Sequence, residues 1–306
     1  MSAFRRGPLK LGVQLPEIER LVPWAELATM AGRIEALGLD SIWVGDHLLY
    51  RFPDGSVRGP WECWSTLAAL AAVTHRVQLS PFVASTAFHN PAMLAKKAAT
   101  VDELSGGRLI LALGAGWNPT EFDAFGFPYQ QRVSRFEEAF TIIRTLLREG
   151  RIDFEGRFYR LRDCVLDPRG PRPEGPPLIV GSAGPRMLRI GLPHVDGWNV
   201  WFDEFGNDPA RFREVASRVE AACHEVGRDP GEVEATAALL LQFADRPFRH
   251  NSNNPVTGGP DRMADAISQL HEAGATHIQL VLDPITLESI DRLAGVLDRL
   301  RTFGSP

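Results

Sequence analysis

The sequence predicts an α/β fold: a (β/α)8 TIM barrel with loop insertions after strands 2, 4 and 7 and a small hairpin before strand 5. Three observations carry this. Short apolar, β-branched runs alternate with longer runs of helical spacing, the pattern of parallel strands joined by right-handed crossovers. The strand–helix pairs number eight, the count at which such a sheet closes into a barrel. The 306 residues suit one barrel of ordinary size plus loops, with no linker and no repeat, so residues 1–306 read as a single domain.

Leu9 to Leu15 reads as strand 1. A helix over 24–37 follows from the spacing of Trp24, Leu27, Ala28, Ala31 and Ile34, and Gly38 closes it. Asp40 to Val44 is strand 2, Ser65 to Val73 a helix, and Val77 to Ala84 strand 3. Pro91 to Leu104 is a helix with proline in its first turn, stopped by Gly106 and Gly107. Arg108 to Leu113 is strand 4 and Val133 to Arg148 a strong helix. Ile152 to Leu161 turns at Glu155-Gly156 as a hairpin, and Arg169 to Pro177 is loop. Strands 5 to 8 fall at Leu178 to Val180, Gly197 to Trp201, Val233 to Phe243 and Thr276 to Leu282. Their helices fall near Arg186 to Leu192, Pro209 to Val226, Asp261 to Ala273 and Leu287 to Leu300. The polar stretch Asp245 to Gly259 reads as a mobile loop.

Composition narrows the function. With 44% hydrophobic and 23% charged residues, a net charge of -5 and no basic block, nucleic acid is a poor partner. The longest apolar stretch, near Leu67 to Val73, is too short to span a membrane. Met1 to Leu15 lacks the apolar core of a signal peptide. Cys63, Cys164 and Cys223 are odd in number and widely spaced, which argues against a disulfide framework or a zinc site and for a reducing compartment. These features predict a cytoplasmic enzyme with no metal. No Gly-x-Ser-x-Gly elbow or His-Glu-x-x-His helix occurs.

Barrel chemistry lies at the C-terminal strand ends. Strand 2 ends in Gly45-Asp46-His47, which is either an acid/base pair or a turn cap beside an exposed histidine. Strand 3 holds Pro81 before Phe82, so it carries a bulge, either to brace a flat ligand or as a plain kink. Downstream, Asn90 is an N-cap and His89 a candidate for the mouth. Strand 4 ends in Gly114-Ala115-Gly116-Trp117-Asn118. It lacks the third glycine of a dinucleotide fingerprint, yet its two glycines, Gly114 and Gly116, let backbone approach a planar ligand. Trp117 is either a pocket wall or a core residue. Strand 5 passes through Gly181-Ser182-Ala183-Gly184 into Pro185-Arg186. Free N–H groups there, with Arg186 and Arg189, favour an anion; a structural turn is the alternative. His75, His194, His224 and His271 lie away from the strand tips, His250 lies in the strand 7 loop within reach of substrate, and His277 starts strand 8 at the wrong end for chemistry.

In this order the segments Leu39 to His47, Asn90-Pro91-Ala92, Leu104 to Leu109 and Gly114 to Trp117 with Glu121 and Phe122 resemble the luciferase-like superfamily. Phe154 to Tyr159 and Asp196 to Asn199 continue the resemblance, which runs from Leu11 to about Leu300. It implies a deazaflavin (coenzyme F420) cofactor, or FMN, lying across the barrel mouth. It places Asp46 and His47 near the ring, Ala115 and Gly116 against it, and the cofactor phosphate at Gly181 to Gly184. It implies a non-prolyl cis peptide between Pro81 and Phe82 behind the ring. The mechanism expected on this reading is hydride transfer between the ring and a small organic substrate, with His47 either the general acid or polarising the substrate, and Asp46 orienting the histidine. Sugar-phosphate dehydrogenases of the superfamily carry a glutamate where Trp117 stands, so Trp117, with Trp43, Trp61, Phe82 and Trp201, points to a more apolar substrate. The alternatives are an FMN-dependent monooxygenase using oxygen and a non-catalytic flavin-binding protein. The resemblance also implies a homodimer.

Overall fold

The computed structural model describes residues 3–243 and 254–303. The barrel strands are Lys10–Gln14, Ser41–Val44, Gln78–Pro81, Leu111–Gly114, Leu178–Gly181, Gly197–Val200, Glu234–Gln242 and His277–Asp283. They are called strands 1 to 8 below. Each pairs in parallel with its neighbours, and strand 8 returns to strand 1 in the register Lys10↔His277. Closure runs through strand 3, which is broken. Its first part pairs with strand 2 (Ser41↔Gln78), and a second part, Ala84–Ser85, pairs with strand 4. The barrel is therefore nearly closed, with the break at its mouth.

The cis peptide bond lies between Phe82 and Val83, one residue beyond the expected Pro81 to Phe82. The reason is the ladder. The Phe82 N–H still donates to the Val44 carbonyl at 2.7 Å, so Phe82 belongs to strand 3 and the irregularity begins after it.

Side chains alternate between barrel interior and helix layer along each strand. Ser41 and Trp43 share the inward face, where Trp43 Nε1 donates to Ser41 Oγ at 2.7 Å. Gly12 makes room for both, since a β-carbon there would lie 2.1 Å from Ser41 Oγ and 2.5 Å from Trp43 Nε1. His277 Nε2 lies 2.7 Å from the same Ser41 oxygen, low in the barrel. Asn199 bridges Thr236 and Gln279, both at 2.7 Å. The interior is thus partly polar, and its polar groups are mostly bonded to one another.

Helices cover the outside. Trp24–Ala36 buries Leu27, Met30, Ala31 and Ile34, and Gly38 follows it at φ +86°. Cys63–Val73 starts at Glu62, whose side chain takes the N–H groups of Trp64 and Ser65. Asn90 caps Pro91–Leu104 by accepting from Ala92 and Met93, as the sequence predicts. Arg132–Glu149 buries a stacked pair, Phe136 and Phe140, 5.6 Å apart. Pro185–Gly191, Pro209–Glu225, Pro260–Glu272 and Leu287–Phe303 complete the ring. The expected hairpin is Arg151–Glu155 with Arg160–Val165. The loop after strand 2 carries a small antiparallel pair, Tyr50–Arg51 with Val57–Arg58. The loop after strand 4 carries the helix Pro119–Phe125, and beyond strand 7 Val256–Thr257 pairs with that strand. His250 and most of the 245–259 loop lie outside the described residues. Among the described residues no helix is long and apolar enough to cross a membrane.

Candidate active site

Asp46 and His47 leave strand 2 together but are held by different parts of the chain. Asp46 is buried, and its Oδ2 accepts the Ser85 N–H at 2.8 Å and faces His89 Nε2 at 3.0 Å. His89 Nδ1 lies 3.5 Å from Lys97 Nζ, and Trp64 packs edge-on against the ring. His89 thus sits behind Asp46 as its support, not free in the mouth.

His47 turns the other way. Its Nδ1 lies 3.1 and 3.0 Å from the two carboxylate oxygens of Glu121, and its Nε2 is 3.9 Å from Glu17 Oε1. The expectation that Asp46 orients His47 is therefore corrected. Asp46 is committed to Ser85 and His89, and Glu121 holds the imidazole. Glu121 stands in the first turn of Pro119–Phe125, whose N-cap is Asn118. Its Oε1 also accepts the N–H groups of Leu48 at 2.6 Å and Leu49 at 3.4 Å. Glu17 reaches the site because Gly45 has no side chain; a β-carbon there would fall 1.8 Å from Glu17 Oε1. Gln14 Nε2 donates to Glu17 at 3.3 Å.

Burial opposes protonation of His47, but the charges of Glu17, Glu121 and Asp46 and the Glu121 hydrogen bond outweigh it, so its pKa is raised. The imidazolium is favoured where three buried carboxylates converge.

Aromatic rings surround the exposed side of His47. Tyr50 lies 4.9 Å and Trp117 5.7 Å from it between ring centroids, and the two lie 6.2 Å from each other. Trp117 is 62% exposed, so it is not a core residue. Phe82 lies between Trp43 (5.0 Å) and Trp201 (5.5 Å). Trp43 is fully buried in the barrel, and Trp61 is bound at Nε1 to the Val22 carbonyl.

The strand ends leave polar atoms for a ligand. Among the described residues, the buried Ser85 Oγ and Gln14 Oε1 have no hydrogen-bond partner. Gly116 adopts φ +75°, and a β-carbon there would lie 2.6 Å from Ser85 Oγ and 2.7 Å from Phe122. An unpartnered buried hydroxyl beside a side-chain-free backbone, as at Ser85 and Gly116, fits a flat ring with a hydrogen-bonding edge. In the turn after strand 5, the Gly184 N–H is bonded to Ser182 Oγ at 3.0 Å, and Ala183 is half-buried. Arg186 departs from expectation. Its Nη2 meets Ser134 Oγ at 2.8 Å and Glu137 at 2.9 Å, so a carboxylate already shares its charge.

Glu17 and Glu121 are the residues that sequence reasoning passed over as chemistry. Glu121 had a visible signal: an acidic side chain three residues after an Asn-Pro helix start, beside a buried Phe122. That pattern reads as local capping, yet the carboxylate bonds across the mouth.

An F420-dependent glucose-6-phosphate dehydrogenase of Kineococcus radiotolerans is 31% identical over 273 residues, covering 87% of this chain and 77% of that one. The pyrimidine monooxygenase RutA of Cronobacter sakazakii is 33% identical over 189 residues, 60% of this chain and 53% of that one. An F420-dependent secondary alcohol dehydrogenase, solved with an F420-acetone adduct, superposes with a TM-score of 0.81 at 20% identity, covering 96% of this chain and all of that one. That structure supports the fold. Residues 6–253 match luciferase-like monooxygenase, and by this match and the 31% identical relative the chain belongs to that family.

Proposed function

We propose that the protein is a deazaflavin (coenzyme F420)-dependent oxidoreductase acting on a small, partly apolar organic substrate. The carrying observation is His47, held by Glu121 at the barrel mouth and walled by Tyr50 and Trp117. When bound, the deazaflavin supplies a two-electron hydride donor or acceptor. The chain's own tasks are to seat the ring, hold the substrate and manage one proton.

Ser85, Gln14 and the backbone at Ala115 and Gly116 would meet the ring's edge, with Pro81, Phe82 and Val83 behind it. Asp46 would keep Ser85 in place and add charge near the ring. Gly181, Ser182, Ala183 and Gly184 would receive the cofactor phosphate. His47 would carry the proton at Nε2 and exchange it with a substrate oxygen. Trp117, Trp201 and Tyr50 would exclude water and favour apolar substrate groups. His89 supports Asp46 and is not assigned to substrate.

A second reading, an FMN-dependent monooxygenase, is favoured by the RutA relative. Titration with both cofactors separates the two. Micromolar F420 binding, with no oxygen uptake in the presence of reduced FMN, supports the first. Tight FMN binding with oxygen uptake replaces it with the second. Binding of neither at micromolar levels removes both.

A further inference from the structure

Glu121 is almost fully exchanged out of water and faces three N–H groups or ring nitrogens at once. The N–H groups of Leu48 and Leu49 can only donate, so the carboxylate oxygen near them is an acceptor. An anionic carboxylate is acceptor-only, and it therefore requires a hydrogen on His47 Nδ1. Nε2 is then the atom left to gain and lose a proton, and it points toward Glu17 across 3.9 Å, too far for a direct hydrogen bond.

We propose that Glu121 is the positioning residue of the site: it fixes His47 in the Nδ1–H form and makes Nε2 the proton-carrying atom. The loop after strand 4 thus supplies, four residues further on, the negative charge that Trp117 does not. The role rests on the function proposed above, in which His47 meets substrate. In the reducing direction the Nε2–H bond breaks as an O–H bond forms on the substrate oxygen. The electron pair of the N–H bond stays on Nε2, and the carbon takes its hydride from the reduced deazaflavin. His47 ends neutral with Nδ1–H intact, and Glu121 stays a carboxylate throughout. The charged groups facing His47 are Glu17 from the loop after strand 1, neighbouring Asp46, and Glu121; Tyr50 faces it as a ring. Lys97 stands one histidine further away, against His89.

The test is a pH titration by NMR of the cofactor-free protein labelled at histidine, with Glu121→Gln and Glu121→Asp. Gln keeps an oxygen for the backbone N–H groups but removes the charge; Asp keeps the charge. Expected are an Nδ1–H tautomer for wild-type His47 and a titration midpoint above that of free imidazole. The midpoint should fall in Glu121→Gln and stay raised in Glu121→Asp. The alkaline limb of kcat should move with the midpoint in the loaded enzyme. An unchanged midpoint in Glu121→Gln overturns the proposal, and so does equal titration of the two variants. If Glu121→Gln does not fold, the wild-type tautomer decides: a bare Nδ1 at high pH overturns it. The titration needs no cofactor, so failure of F420 binding strikes the proposed function and leaves this readout standing.

Discussion

Val83 fills the space that Gly181 leaves open: a β-carbon on Gly181 would lie 2.8 Å from both Val83 methyl groups. Gly114, at the end of strand 4, faces the same side chain at the same distance. One valine at the break in strand 3 therefore locks three strand ends at the mouth.

Gly181→Ala is expected to destabilise by about 1–3 kcal/mol, the usual cost of overpacking a tight site. Val83→Ala in the same chain should relieve most of that, because it removes the methyl groups that clash. Urea midpoints of the two single variants and the double variant measure the coupling. Strict additivity would show that the two positions do not meet.

His47 and Asp46 should separate functionally. His47→Ala is expected to leave F420 affinity within about threefold while kcat falls roughly 100-fold, the scale of a lost proton-transfer group. His89→Ala removes the partner of Asp46 and should weaken F420 binding about tenfold, as one charge-assisted hydrogen bond would. Fluorescence titration and steady-state kinetics on both variants check this. Equal effects on binding would contradict the division.

His277 should set the acid side of the stability curve. Burial holds it neutral, Lys10 reinforces this, Glu234 opposes it, and its pKa falls to about 3. The unfolded chain protonates this histidine near its ordinary value, about 6.5. Between these two values the unfolded state binds more protons, so stability falls as pH drops, by at most about 1.4 kcal/mol per unit from this group. His277→Gln should flatten that slope in denaturation series between pH 7 and pH 4.

His47 works in the opposite sense. Its raised pKa means the folded state binds the proton more tightly, so its contribution is fully present below the unfolded value. It is lost as pH rises through the folded value. His47→Gln should therefore lower stability more at pH 6 than at pH 9, measured by urea midpoints at each pH.

Trp117→Ala should change substrate handling and not the fold. The side chain is 62% exposed, so stability is expected to shift by less than about 0.5 kcal/mol. KM for an apolar substrate should rise severalfold. A large loss of thermal stability would place Trp117 in the core after all.

Much of the barrel was legible because it is written in local pattern. The alternation of strands and helices, the Asn90 cap and the Gly38 stop each depend on residues within one turn of each other. The irregularity in strand 3 was visible from Pro81, but its place was one residue late, since Phe82 keeps its bond to Val44. The site was legible only in part. Asp46 and His47 stood out because they end a strand, yet their separate supports come from Ser85 and Glu121, far along the chain. Glu17 depends on a missing side chain at Gly45, which no spacing rule reports. Arg186 looked free because Glu137, its partner, lies on another helix.

The separate anchoring of Asp46 and His47 has a consequence for how such a barrel can diversify. The two neighbours answer to different modules, one built from the stretch Ser85 to His89 that runs from the third strand's second part, the other from the segment around Pro119–Phe125. Swapping or randomising the second module would retune the proton at His47 and the wall at Trp117 while leaving the Asp46 support untouched. On the proposed function, a library confined to residues 117–121 would vary the surroundings of His47 while keeping Phe122, which packs against Phe88 and the Gly116 backbone.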